Sequence, residues 1–450
     1  MANVIPFPTA KGESTAAELF LRIGEASYGK VASLYAEGRL PVSHAIFDAS
    51  KLRHQLSFVK TLRDDGVELI LDTKAAELGA LSKYQGWASG APWSDGTLHL
   101  PDKFDNQRCI EFAEAIAREA IEKGFDRILS PTHFLKGGVL DPWFAIDIRL
   151  CGFLREALDR LGGGHIAIDY PVIIEQLTLR DEAVRGALIS QLGSLPFENL
   201  VFRASHFGAD ARATGIKEFI NVLDRFHNFG RPVIVDHVGG LVGRALLAFG
   251  VASGIAHGID EHLRFDGTSW GRAPKERDEN ESRGGRAKRI SIPLLDKHLT
   301  VPELTALAKA KGGHGLLVCG DPNCCRGLKD MIDNSKRHSI YQESLALNAL
   351  NGVPDLMRPK HFLEKDLAEI DRFARQVKEL KPVVSELRPR KGQTAEEAAA
   401  SLSKRLAEHA VRNDKMRASL ENLHVVRGLG VSRVPAAHLS PRIKDKNRKQ

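Results

Sequence analysis

Short, almost uniformly apolar runs recur along the chain. Between them lie stretches whose apolar residues return every three or four positions. The runs are SHAIFD (43–48), VELILD (67–72), DRILSP (126–131), HIAIDY (165–170), LVFRAS (200–205), PVIVDH (232–237), VASGIAHG (251–258) and GLLVCG (315–320). Rich in Ile, Val and Leu, they read as strands buried on both faces of a parallel sheet. The stretches 106–123, 143–161 and 213–228 predict amphipathic helices, and 15–38 predicts another ahead of the first run. Eight strands alternating with helices predict an α/β fold of the (β/α)8 TIM-barrel type. The rival is a doubly wound open sheet. It usually has fewer strands, and no run here is followed by G-x-G-x-x-G. The glycines at 162–164 precede a strand and read as a turn.

Past residue 320 the pattern turns helical, over 336–351, 362–380 and 394–422, with breaks at Pro354, Pro359 and RPRKG (388–392). The predicted organisation is therefore an N-terminal helical segment (1–40), the barrel (41–320), a helical C-terminal extension (321–425) and a basic, flexible tail (426–450). Two long loops interrupt the barrel. Residues 84–104 are rich in Gly, Pro and Trp, and 262–293 are strongly charged. Both fall after strands, at the mouth where barrel enzymes carry their variable loops.

At 450 residues the chain is long enough for a barrel plus an extension. No apolar run reaches bilayer length, the first residues lack the pattern of a secretory signal, and a cytoplasmic protein is expected. The net charge is +7, much of it concentrated in 271–289 and in the tail KDKNRKQ. That excess permits a polyanionic partner without demanding one. The five cysteines are too few for a disulfide framework, yet three fall within seven residues.

Residues at or just past the strand ends face the mouth of a parallel barrel. They include Asp48, Asp72, His133, Asp169, His206, Asp236, His237 and His257. Several carboxylates in one concavity supply acid and base, because proximity and burial push their pKa values apart. Each aspartate taken alone also reads as a helix cap, as Asp48 and Asp72 do. Asp48, Asp72, Asp236 and His257 are the catalytic candidates. His133, Asp169, His206 and His237 are substrate-binding candidates, with Gly239 and Gly240, whose exposed N–H groups at a helix start can hold an anion. The cysteine segment is CGDPNCCRGLKDMIDNSKRHSIYQ. Cys319, Cys324, Cys325 and His338 suit a tetrahedral structural zinc. His361 is a rival fourth ligand, and two buried cysteines beside an incidental one is the bland alternative.

This arrangement resembles the tRNA-guanine transglycosylases and the related enzymes that insert deazaguanines into DNA. Those are barrels with a three-cysteine, one-histidine zinc site after the last strand. The resemblance rests on the cysteine cluster, on His338 followed by Tyr341 and Gln342, on the segment PVIVDHVGGLVGRALLAFGVASGIAHG, and on Asp48 as the first-strand aspartate. The cysteine spacing differs from the family's, its Gly-Gly-Phe-Gln run is absent, and its nucleophile would fall near Gly254 or Ile255, where no acid stands. The resemblance implies base exchange at a nucleotide C1′ through a carboxylate, with DNA or RNA as partner. Arg272, Lys275, Arg286, Lys288 and Arg289 would contact phosphates. A second copy of the chain is a further candidate partner. Two alternatives stand beside this reading: an Asp/His hydrolase or lyase acting on a small molecule, with or without a catalytic metal, and a non-catalytic nucleic-acid-binding barrel.

Overall fold

The computed structural model describes residues 16–24, 27–40, 42–81, 83–272, 287–390 and 392–428. Eight parallel strands close into a barrel: β1 Glu18–Ile23, β2 His44–Asp48, β3 Glu68–Asp72, β4 Arg127–Leu129, β5 Ala167–Glu175, β6 Asn199–Ser205, β7 Val233–Asp236 and β8 Gly254–His257. Each pairs with the next, and β8 pairs with β1 through Glu18↔Gly254 and Leu21↔His257.

The barrel is thus shifted by one strand from the expected one. ELFLRI, read as part of a helix over 15–38, is β1, and the helix after it is only α1 (Tyr28–Ala36). GLLVCG, read as the eighth strand, forms no strand: its first three residues end the short helix Gly313–Leu317. The reason lies in side-chain alternation. On β1 to β3 every second residue points inward: Glu18, Phe20, Arg22; His44, Ile46, Asp48; Glu68, Ile70, Asp72. Polar inward residues at both ends shorten the apolar run, and on β1, preceded by Ala16 and Ala17, the spacing that remains satisfies a helical period as well.

The interior is layered. Phe20, Ile46, Ile70, Leu129, Val201, Ile234 and Ala256 form an apolar middle layer drawn from seven strands. Gly254 is required there, because a Cβ would lie 2.5 Å from the Phe20 ring. Below, at the N-terminal ends, His44 bridges Glu18 (2.8 Å) and Glu68 (2.7 Å), and Arg127 joins Glu68 (3.4 Å) to Asp169 (2.5 Å). Above lies a second charged layer, at the mouth.

The outer helices are α1, α2 (Leu56–Asp64), α3 (Asn106–Lys123), α4 (Pro142–Arg160), α5 (Glu182–Leu192), α6 (Ala213–Phe226) and α7 (Gly240–Ala248). Asp105, Asp141 and Asp181 cap α3, α4 and α5 with side-chain oxygens. After β8 come a hairpin, β9 (Arg289–Ile292) and β10 (Lys297–Thr300), and then α8 (Val301–Ala308), α9 (Ser335–Asn351), α10 (Ala368–Val377) and the 33-residue α11 (Ala395–Arg427). α9 covers the barrel beside β1 and β8: Asn351 exchanges hydrogen bonds with Ala17, and Lys336 reaches the Ile259 carbonyl. The hairpin, α8, α10 and α11 build a second core, including Ile290, Leu304, Phe373 and Leu402, into which Cys324 and Cys325 are packed. Among the described residues no helix is long and apolar enough to cross a membrane. The tail expected to be flexible lies, from residue 429 on, outside the described residues.

Candidate active site

Four carboxylates and three cations meet at the mouth. Arg22, inward on β1, grips Asp236 with two nitrogens (2.6 and 2.7 Å) and Asp72 with a third (2.6 Å). Arg203, inward on β6, holds Asp236 at 2.8 Å and reaches Asp72 and Glu77 at 3.4 Å. Lys74 lies 2.8 Å from Glu77, 3.4 Å from Asp48 and 3.6 Å from Asp72. Bidentate guanidinium–carboxylate contacts of this kind fix both partners.

The carboxylates are not equivalent. Burial raises the pKa of each, and the cations oppose it unequally. Beside Lys74, Arg22 and Arg203, Asp72 is held below the ordinary range, and Asp236 is held well below it by Arg22 and Arg203. For Asp48 burial prevails over Lys74 and the more distant Arg22, with Asp72 and Glu77 adding to the upward shift. The Asp48 side chain is also the open one, 22% exposed against 6% for Asp72 and 1% for Asp236.

His237 follows Asp236 and is buried. Its ring stacks on His262 (centroids 4.8 Å apart), and neither ring nitrogen has a hydrogen-bond partner among the described residues. Burial holds its pKa well below the usual histidine value and brings His262 down to about 4, so both imidazoles are neutral at pH 7. Lys74, His206, His237, Asp260 and His262, all past strand ends, have left-handed backbones with φ between 56° and 63°. Strain concentrated in this way is characteristic of functional loops.

The segment after β8 folds across the mouth. Leu263 and Phe265 carbonyls accept from Ala209 and His206, and the Gly267 N–H donates to Ser205 Oγ (3.0 Å). Phe265 and Trp270 pack on Ala76, Ala80 and Ile173. A Cβ on Gly267 would lie 2.5 Å from the Phe134 ring, so glycine is needed at this crossing. Beside this cover is a pocket of about 290 Å³ lined by His133, Phe134, Trp143, Glu175 and Trp270. His133 stacks on Trp143 (3.5 Å). Its Nδ1 is 2.8 Å from Asp147 and its Nε2 3.2 Å from His99. Burial brings the pKa of His133 down to about 3, so this relay is uncharged on its imidazoles.

Of the residues singled out from sequence, Asp48, Asp72, Asp236 and His237 come together at the mouth. His133 lines the adjacent pocket. His206 is exposed on the rim and pairs with Glu175 (3.0 Å) and Asp266 (3.4 Å). His257 points elsewhere, 3.5 Å from Glu343 on α9. Asp169 is not at the mouth: β5 runs on to Glu175, which leaves Asp169 in the bottom layer against Arg127. Gly239 and Gly240 do begin α7, but a protein carboxylate already occupies that start, Asp296 accepting the Leu241 N–H at 2.9 Å. Arg272, Lys288 and Arg289 are exposed, whereas Lys275 and Arg286 lie outside the described residues. Sequence reading missed Arg22, Lys74, Glu77, Arg203 and His262. Arg203, a charge inside the run LVFRAS, was the available signal.

Cys319, Cys324, Cys325 and His338 form a second group, their ligand atoms all within 4.8 Å of one another. Cys324 and Cys325 sulfurs are 3.6 Å apart and lie 3.3 and 3.5 Å from His338 Nδ1. Bond lengths of ~2.3 Å to sulfur and ~2.0 Å to nitrogen place tetrahedral neighbours roughly 3.5–3.8 Å apart, so these residues fit a metal ion. A turn presents the thiols: the Asp321 carbonyl accepts from both Cys324 N and Cys325 N. His338 enters from the first turn of α9. His361 is not in the group.

No family model matches the chain, and no curated protein matches it. Similar solved structures are glycoside hydrolase barrels. A Clostridium thermocellum xylanase 10B matches at a TM-score of 0.36 and 11% identity, over 57% of this chain and 62% of that one. The chain thus spans about three fifths of that protein. Xylanase 10B from Thermotoga maritima gives 0.35 and 10%, over 54% and 82%. A Bacteroides ovatus β-mannanase gives 0.34 and 11%, over 58% and 84%. At these values nothing of their chemistry transfers, and the barrel rests on its own strand pairing.

The transglycosylase reading is corrected. The similar solved structures are xylanase and mannanase barrels, not transglycosylases. The geometry agrees. Asp48 ends the second strand rather than the first, Gly254 and Ile255 begin β8 far from its mouth end, and Asp236 is locked between two guanidiniums.

Proposed function

We propose that the mouth is an acid–base active site of a hydrolase or lyase acting on a small polar molecule. The observation that carries this reading is the splitting of neighbouring carboxylates: Asp48 raised and open, Asp72 and Asp236 depressed and enclosed. A carboxyl held protonated above its usual range donates a proton to a leaving group, and its environment sets that role. Neutral His237, with two unpartnered ring nitrogens, is the group that hydrogen-bonds and orients water or substrate at the mouth. Arg22 and Arg203 keep the ionised Asp72 and Asp236 in place and are positioning residues. The test is turnover of a panel of aryl glycosides, aryl esters and hydroxy acids by wild type, Asp48→Asn and His237→Ala. The expected result is a substrate whose turnover falls ~10²–10⁴-fold in Asp48→Asn and whose rate declines as pH rises through the raised Asp48 pKa. No turnover of any panel member, or turnover indifferent to both substitutions, would contradict the reading.

We further propose that Cys319, Cys324, Cys325 and His338 hold a structural zinc. The near-tetrahedral spacing and burial of three of the four donors support this. Four protein ligands leave no open position, so such an ion ties the turn to α9 rather than activating water. Elemental analysis is expected to find about one zinc per chain, lost in Cys324→Ala together with several degrees of thermal stability. Wild-type protein purified without zinc, with Cys324→Ala as stable as the wild type, would overturn it. Reduced thiols of this kind also fit the expected cytoplasmic location.

A further inference from the structure

Two cavities differ in what they leave unpaired. One, of about 310 Å³, lies at the seam between the barrel and the C-terminal layer. There the chain supplies its own partners: His257 pairs with Glu343 (3.5 Å), Asp260 with His298 (3.0 Å), Asp296 with Arg412 (3.4 Å) and Asp366 with Arg244 (3.7 Å). The other is the pocket of about 290 Å³ beside the mouth, and its lining holds donors without acceptors.

The walls of that pocket are aromatic. Phe134 and Trp270 stand edge to face, their centroids 6.0 Å apart, and Trp143 also lines it. His133 covers one face of the Trp143 ring at 3.5 Å. What Trp143 turns toward the pocket is an edge: its Cζ2, on the side of the ring that carries the nitrogen, lies 4.0 Å from where a Cβ on the lining residue Gly79 would stand. Trp143 is only 9% exposed and Trp270 6%. Neither indole N–H has an acceptor among the described residues, and neither is sealed in the interior. An indole nitrogen can only donate, and a buried one ordinarily finds a partner. Lys136 and Arg272 stand exposed at the rim, without an ion pair among the described residues. The one carboxylate of the lining, Glu175, is engaged by His206 Nδ1 at 3.0 Å. Leu81, 58% exposed, carries the apolar wall out to the surface.

From this combination we infer that the pocket is a ligand site in its own right and takes a flat aromatic carboxylate. The ring would lie against Phe134 and Trp270, and the carboxylate would accept from the indole N–H groups, Lys136 and Arg272. The unpaired donors select an anion, the aromatic walls select a flat body, and the volume, at the small end of ligand pockets, limits it to one or two rings. None of Asp48, Asp72, Asp236 or His237 lines the pocket. Phe265 stands between, its ring 5.0 Å from Trp270 and 5.8 Å from His237. The inference therefore does not depend on the chemistry proposed for the mouth.

Calorimetric titration of the full chain with naphthalene-2-carboxylate tests this, with 2-naphthylmethylammonium as the control for sign and hexanoate as the control for shape. The naphthoate is expected to bind at about one site per chain, and the controls far more weakly. Lys136→Ala combined with Arg272→Ala should weaken it roughly tenfold or more. Trp143→Phe keeps a ring, removes the N–H and should weaken it severalfold. Gly271→Phe, at a lining position where a Cβ meets nothing within 4 Å, should block it while leaving thermal stability near wild type. Asp48→Asn should leave it unchanged. Absence of naphthoate binding, equal binding of the ammonium or of hexanoate, or insensitivity to the pocket variants would overturn the inference. So would loss of binding in Asp48→Asn, which would place the probe in the mouth.

Discussion

Arg203 sits inside an otherwise apolar run and is almost fully buried, which is tolerable only because Asp236, Asp72 and Glu77 surround its guanidinium. Truncating it leaves Asp236 and Glu77 desolvated with one cation fewer. Loss of one partner from a buried ionic group costs about 3–5 kcal/mol. Arg203→Ala should therefore lower the urea midpoint by that equivalent, with the slope unchanged. A loss under ~1 kcal/mol would mean that the mouth cluster is not the tightly paired network described. At this scale much of the site was readable in the sequence. Asp48, Asp72, Asp236 and His237 stand where strand runs end, and strand ends face the mouth. Asp169 misled because a nine-residue strand places its third residue near the bottom. The run HIAIDY does not reveal that β5 continues through PVIIE, since Pro171 reads as a break although Pro171 pairs with Val201 inside the sheet. His257 was placed at the right strand end, but its surroundings come from α9, more than eighty residues on.

The strands show why the barrel was recognisable while its first member was not. Six of the eight expected runs carry enough Ile, Val and Leu to register as buried strands, and HAIFD does so despite its polar ends. ELFLRI is flanked by alanines and glutamate, good helix formers, and its apolar spacing satisfies a helical period as well as an alternating one. Only pairing with β2 and β8 decides for a strand, and that information is not local. The same pairing makes the bottom layer sensitive to pH. His44 on β2 lies between Glu18 on β1 and Glu68 on β3. Burial lowers its pKa, but the two carboxylates outweigh this and raise it to about 9. Its unfolded value is near ~6.5. A pKa raised on folding gives stability that is complete below the unfolded value and lost as pH climbs through the folded one. Stability should thus fall by an amount on the order of 3 kcal/mol between about pH 6.5 and pH 9, and His44→Gln should flatten that part of the profile. A wild-type profile already flat across this window would contradict the bridging role of His44.

For the whole molecule, the barrel closes with charge at both ends and hydrocarbon between. The bottom layer is fully paired and structural, while the mouth layer leaves one carboxylate open. The C-terminal helices then do three things at once: they cover β1 and β8, carry on α9 the histidine that joins the three clustered cysteines, and wall the seam cavity from the same helix. The seam cavity could not be read from sequence, because its lining joins residues as far apart as Gly240 and Ile370. The account of function depends on the division of labour among the mouth carboxylates. The most direct test is a carbon-13 NMR titration of the aspartate side-chain carboxyls in the intact protein, with Asp48→Asn to assign the resonance. Asp48 is expected to titrate above the ordinary aspartate value of ~3.9, and Asp72 and Asp236 below it. Asp48 ionising at or below the ordinary value, together with its neighbours, would remove the proton donor and with it the proposed active site.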